Sequence, residues 1–145
     1  MKQTKLNIVT KTEKYPIIIG SNLTSSISKI FKSNSIDFDK CLIVVDKNVP
    51  KKFISNIKKS LKNKSIFVLF FNASEKNKNI NSVNKILEVL LNKNFSRNDV
   101  LISLGGGITG DVSGFAASLF KRGLKFANIP TCLLYTSDAA DDLVC

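Results

Sequence analysis

The segment of this 145-residue chain best equipped for chemistry reads Gly105-Gly106-Gly107-Ile108-Thr109-Gly110-Asp111. Gly105, Gly107 and Gly110 fit the spacing G-x-G-x-x-G, directly after an apolar run and directly before a helical pattern. Glycines there let a backbone approach a pyrophosphate, and the helix N-terminus offers unpaired N–H groups and the positive end of a dipole. Asp111 suits that dipole and could also accept a hydrogen bond from a ligand hydroxyl. The same glycines would equally serve a tight turn with close helix–strand packing. The acidic residue that often follows about twenty positions on is absent.

Three further places carry polar residues where a strand should end. Asp46 closes the run CLIVV, with Asn48 two positions on. That carboxylate could accept hydrogen bonds from ribose hydroxyls, or the pair could form an Asp-x-Asn capping turn. Glu75 and Lys78 follow SIFVLFF, and their spacing also fits an exposed i, i+3 ion pair. Arg122 precedes Gly123, where a basic residue can complement a helix C-terminus or meet a phosphate. Acid–base and metal machinery is thin, because the chain has no histidine. Its three cysteines, Cys41, Cys132 and Cys145, show no C-x-x-C spacing, so a zinc cage is not expected.

These residues need elements to position them. Two short β-branched stretches, 5–10 and 15–19, read as strands about a turn. Leu23, Ile27, Ile30 and Phe31 recur at helical spacing after Ser21 or Asn22, either of which would serve as N-cap. Residues 41–45, 65–71 and 100–104 are continuous apolar runs, as strands buried on both faces are. Between them, Val49, Phe53, Ile57 and Leu61 mark one helix, and Ile80, Val83, Ile86, Leu87, Leu90 and Leu91 another. A fourth helix is expected over 109–121, with Asp111 in its first turn, and a last strand over 125–129 before Pro130. Short strands alternating with helices predict an α/β, Rossmann-like, mainly parallel sheet with flanking helices, its ligands at the carboxyl ends of the strands.

Composition narrows the classes. The 22 Lys and Arg against 11 Asp and Glu give a net charge of +11, a balance that can signal nucleic acid. The cations spread from Lys2 to Lys125 among many Asn, Ile and Ser, the residues that AT-rich codons encode, so no nucleic-acid partner is expected. No run of eighteen apolar residues and no secretory h-region is present, so no membrane span is expected and the cytoplasm is the expected compartment.

The stretch LISLGGGITGDVSGFAASLFKRGLKFANIP, residues 101–130, resembles the nucleotide-binding segment of the 3-dehydroquinate synthase family. The likeness comprises a strand, Gly-Gly-Gly-x-x-Gly-Asp, a Gly-Phe-Ala-Ala helix, Arg-Gly, and a strand ending in Ile-Pro-Thr. YPIIIG, the Asp-x-Asn at Asp46 and Asn48, and Glu75-x-x-Lys78 extend it over nearly all of residues 1–131. Glycerol dehydrogenases and related metal-dependent alcohol dehydrogenases carry a Gly-Gly-Gly-Lys-x-x-Asp version without the Arg-Gly. Other sugar-phosphate cyclases share the motifs seen here.

The resemblance implies a bound NAD, reduced and regenerated within one catalytic cycle. The implied substrate is a sugar-acid phosphate, 3-deoxy-D-arabino-heptulosonate 7-phosphate, converted to 3-dehydroquinate and phosphate in the shikimate pathway. Cofactor contacts are then expected at Asp46 and Asn48, at Ala73, Ser74, Glu75, Lys76, Asn77 and Lys78, and at Gly106, Gly107, Ile108, Thr109, Gly110, Asp111 and Thr131. Arg122 would bind the substrate phosphate. The family further implies a homodimer and a divalent metal, zinc or cobalt, held by a C-terminal helical domain whose ligands this chain lacks. Residues 1–131 are thus expected to form an NAD-binding domain that is inactive alone. Residues 132–145, with three acids and no Lys or Arg, are expected to be a non-native tail, because CLLYTSDAADD resembles translated sequencing-adaptor DNA. A stand-alone nucleotide-binding module and a basic nucleic-acid binder are the readings from other classes.

Overall fold

A computed structural model describes residues 3–131. The expected tail, residues 132–145, lies outside the described residues. Two strands, β1 (Thr4–Val9) and β2 (Lys14–Ile19), form an antiparallel hairpin as a sheet of their own. A 3₁₀ turn, Leu23–Ser26, leads into α1 (Ile27–Ser33). From there the chain alternates: β3 (Lys40–Asp46), α2 (Lys51–Ser60), β4 (Ser65–Phe71), α3 (Ile80–Asn92), β5 (Val100–Gly105), α4 (Gly107–Leu119) and β6 (Lys125–Pro130). The main sheet is parallel throughout, in the order β4-β3-β5-β6.

Alternation along the two central strands builds two cores. Cys41, Ile43, Val45, Val100, Ile102 and Leu104 face α1 and α2 and pack with Phe31, Ile54, Ile57 and Leu61. Leu42, Val44 and Leu101 face α3 and α4 and pack with Ile86, Leu90, Phe95, Val112 and Ala116. Both faces of β3 and β5 are therefore covered, which is why their sequences are apolar without a polar period. Among the described residues, no helix is long and apolar enough to cross a membrane.

The expected elements are all present, with four local differences. Neither Ser21 nor Asn22 caps a helix through its side chain. Asn22 is left-handed (φ 56°) and precedes the 3₁₀ turn. The second helix begins at Lys51, after Pro50, so Val49 packs from the preceding loop. The fourth helix begins at Gly107, earlier than its apolar spacing indicates, because glycine at its start has no side chain to reveal the period. Asp111 consequently lies in its second turn. That helix also stops at Leu119, and a 3₁₀ turn, Phe120–Arg122, follows with left-handed Lys121 (φ 44°) and Arg122 (φ 67°).

Candidate nucleotide site

The chain leaves β3 for β4 on one side and returns to β5 on the other, so the direction of winding reverses between β3 and β5. In open parallel sheets a crevice forms at the carboxyl ends of the strands flanking such a reversal. The residues there are Asp46 and Gly105. They lie so close that a Cβ added to Gly105 would sit 3.1 Å from Asp46 Cβ.

The glycines divide by role. A Cβ on buried Gly105 would meet Thr109 Oγ1 at 2.8 Å, and one on Gly110 would meet Asn128 Oδ1 at 3.1 Å. Both glycines therefore let α4 press against β5 and β6. Ser103 and Ser113 help, since their small buried side chains face the same β5–α4 layer as Thr109. Among the described residues, nothing lies within 4 Å of a Cβ added to Gly106 or Gly107. Above them is open space that a larger side chain would fill. Among the described residues no side chain caps the first turn of α4, so its leading N–H groups face that space without an acceptor from them. This is a cradle for an anion, and an NAD pyrophosphate fits it chemically.

The remaining residues gather on the same edge. The Thr131 N–H donates to Gly105 O at 2.9 Å, tying the end of β6 to the glycine turn. The Asn48 N–H donates to Asp46 Oδ1 at 3.1 Å, so the Asp-x-Asn turn forms and leaves Oδ2 open to a ligand hydroxyl. The Lys47 N–H donates to Phe71 O at 2.9 Å, holding the β3 and β4 ends together. In the 73–78 loop, Ser74 Oγ accepts from the Asn77 N–H, and Asn77 Nδ2 donates to Asn72 O at 2.8 Å. Ala73, Glu75 and Lys76 belong to that ordered loop. Lys78 does not pair with Glu75. Its ammonium reaches Asp111 Oδ2 at 2.9 Å instead, joining the loop to α4. The Asp111 carboxylate beside it holds the Lys78 pKa above the ordinary lysine value.

Arg122 is not brought to this edge. Since α4 runs antiparallel to the strands, its end lies at the amino edge, and thirteen helical residues span about 20 Å. Arg122 is exposed there, without an ion-pair partner among the described residues. Asn128, which packs beside Gly110, has no signal in the sequence, because its place follows from the pairing of β6 with β5. For a metal the donor set does not fit. Among the described residues no three His, Cys, Asp or Glu gather, and Cys41 is buried with its thiol pKa pushed up by desolvation.

Fold and site together define a Rossmann-like α/β domain with a glycine turn at the reversal of the sheet. The family model of the 3-dehydroquinate synthase N-terminal region matches residues 68–141, and the chain belongs to that family. The match crosses Thr131 and continues into the segment outside the described residues. A 3-dehydroquinate synthase of Pelagibacter ubique (strain HTCC1062) is 58% identical over 136 residues, covering 94% of this chain and 37% of the relative. One of Blochmanniella floridana is 37% identical over 134 residues, covering 90% of this chain and 36% of the relative. The chain thus spans little more than a third of the length of these relatives. Among solved structures, 2-deoxy-scyllo-inosose synthase complexed with carbaglucose-6-phosphate, NAD+ and Co2+ superposes with a TM-score of 0.79 at 23% identity. The overlap covers 88% of this chain and 35% of that one, and the likeness is one of fold.

Proposed function

We propose that this chain is the NAD-binding portion of a 3-dehydroquinate synthase. The observation that carries the reading is the open cradle over Gly106 and Gly107, set beside Asp46 where the sheet reverses. When bound, NAD supplies reversible hydride acceptance, which acidifies a neighbouring C–H of a sugar-acid phosphate and so permits loss of phosphate. The first-turn N–H groups of α4 bind the pyrophosphate, Asp46 Oδ2 accepts from a ribose hydroxyl, and Asn48 fixes the carboxylate. The 73–78 loop and Thr131 border the cofactor on either side. Ligands for a divalent metal are not among the described residues, so no step is assigned through one. Other sugar-phosphate cyclase substrates remain the second reading, favoured by the likeness to 2-deoxy-scyllo-inosose synthase.

Thermal unfolding with and without NAD tests the reading. A ligand that binds only the folded chain at a hundred times its Kd adds about 2.7 kcal/mol, an upward shift of several degrees. No shift at millimolar NAD, with adenosine as a control, would refute it.

Arg122 carries a separate expectation. Its place on the amino edge keeps it a full helix length from the cradle. In a chimera completed with the remainder of the Pelagibacter relative, Arg122→Ala should lower kcat/KM about ten-fold or more through lost charged hydrogen bonds. NAD affinity should stay unchanged. Equal activity of the variant, or loss of NAD binding with it, would assign the residue to the turn alone.

A further inference from the structure

The β1–β2 hairpin is a sheet of its own, and its two outer edges differ in what they can bond. Opposite residues of an antiparallel ladder alternate between pairs that exchange hydrogen bonds and pairs whose N–H and C=O groups turn outward. The Thr10 N–H donates to Glu13 O at 2.8 Å, which fixes the phase. Along the register, Ile8–Tyr15, Leu6–Ile17 and Thr4–Ile19 are then bonded pairs, whereas Val9–Lys14, Asn7–Pro16 and Lys5–Ile18 turn outward. The outer edge of β2 therefore has Pro16, which carries no N–H, at its centre. The outer edge of β1 keeps every donor and acceptor, at Lys5, Asn7 and Val9, and no strand among the described residues pairs with it. One face of the hairpin carries Leu6, Ile8, Tyr15, Ile17 and Ile19, and all of these but Ile8 are 41% to 48% exposed. A lone two-stranded sheet is marginal in water, and an open edge beside an apolar face is a template for another strand.

We propose that β1 pairs antiparallel with β1 of a second copy of this chain, about a two-fold axis at Asn7, joining two hairpins into one four-stranded sheet. Antiparallel self-pairing is symmetric, so one edge supplies both sides of the contact. Centred on Asn7, it sets Lys5 against the partner's Val9 and Asn7 against the partner's Asn7, so every outward N–H of β1 meets an outward C=O. Centred on Leu6, the same edge would leave Val9 without a partner inside β1. Leu6 stands opposite the partner's Ile8, which keeps apolar side chains on one face. A slip of one residue in the pairing would mix them with polar ones. The two Lys5 side chains lie four residues apart along the sheet, about 14 Å, where salt screens their repulsion. Nothing in this pairing depends on the nucleotide-binding reading of the glycine turn.

Sedimentation velocity of the 145-residue chain under reducing conditions tests it. The parent should be dimeric at about 100 µM and dissociate on dilution, because an edge contact is small. Asn7→Pro removes the outward N–H at the axis and no β1–β2 bond, and should weaken association about ten-fold or more. Asn7→Lys and Asn7→Asp should each be monomeric, since like charges then face each other across the axis, and an equimolar mixture of the two should dimerise again. Phe115→Ser, on the exposed face of α4, should leave association unchanged, as should ending the chain at Thr131. A monomeric parent, an Asn7→Pro variant that dimerises like the parent, or a mixture that stays monomeric overturns the pairing. Dissociation by Phe115→Ser would move the contact to α4, and dissociation by the shortened chain would move it to residues 132–145; either overturns it as well.

Discussion

Replacing Gly107 with valine is expected to abolish measurable NAD binding while leaving the unfolding midpoint within about 2 °C of the parent's. Among the described residues nothing lies within 4 Å of the Gly107 Cβ position, so they leave room for the branched side chain. At the start of an exposed helix, valine costs no more backbone freedom than glycine. The cofactor has no such room. A pyrophosphate bonded to N–H groups must come within about 3 Å of the backbone, and two added methyl groups occupy that volume. A loss of affinity of a hundred-fold or more is expected. Gly105→Ala should behave in the opposite way. Its Cβ would be driven to 2.8 Å from Thr109 Oγ1 and 3.1 Å from Asp46 Cβ, inside a fully packed layer, at a cost of about 1–3 kcal/mol in stability. Calorimetric NAD titration and thermal unfolding of both variants separate the two roles. If Gly107→Val unfolded the chain, or still bound NAD, the cradle would be wrongly placed.

The largest stability effect is expected at Asp99, far from the cradle. This buried carboxylate accepts from the Ser96 N–H at 2.8 Å, the Lys40 N–H at 2.9 Å and the Asp39 N–H at 3.3 Å, and from the Ser96 hydroxyl. It thereby fastens the start of β3 to the loop before β5, the two central strands of the sheet. Asp99→Ala leaves these donors without an acceptor, and should cost about 3–5 kcal/mol, lowering the midpoint by more than about 10 °C. Burial pushes the Asp99 carboxyl up, but the backbone donors from Ser96, Lys40 and Asp39 outweigh it and hold the pKa below the ordinary carboxylate value. A folded pKa below the unfolded one means the chain binds more protons when unfolded. The contribution is therefore complete above the ordinary carboxylate pKa and is lost as pH falls below it through the folded value. Denaturant titrations from pH 7 to pH 3 should show the parent losing this increment while Asp99→Ala, already without it, changes less. Parallel curves for the two proteins would show that Asp99 is not the group responsible.

Much of this molecule was legible in its residues. Periods and apolar runs located every strand and helix, since CLIVV and SIFVLFF suit strands covered on both faces and the spacing of Ile80 to Leu91 suits one face of a helix. The glycine-rich turn and the polar residues after β3 and β4 marked the carboxyl edge, because local chemistry at strand ends is written in consecutive residues. Tertiary structure alone decided the rest. Strand order is set by which buried faces match, so the reversal that brings Asp46 against Gly105 has no local signature. The same holds for the split of the glycines, where Gly105 and Gly110 serve packing and Gly106 and Gly107 face open space. The difference lies in neighbours distant in sequence: Asp46 for Gly105 and Asn128 for Gly110. Lys78 chose Asp111, thirty-three positions away, over nearby Glu75 because the loop's hydrogen bonds aim it across to α4. Arg122 is only eleven positions after Asp111 in sequence, yet α4 carries the chain to the opposite edge of the sheet before it. Sequence proximity is a poor guide wherever a rigid element of about 20 Å lies between two residues.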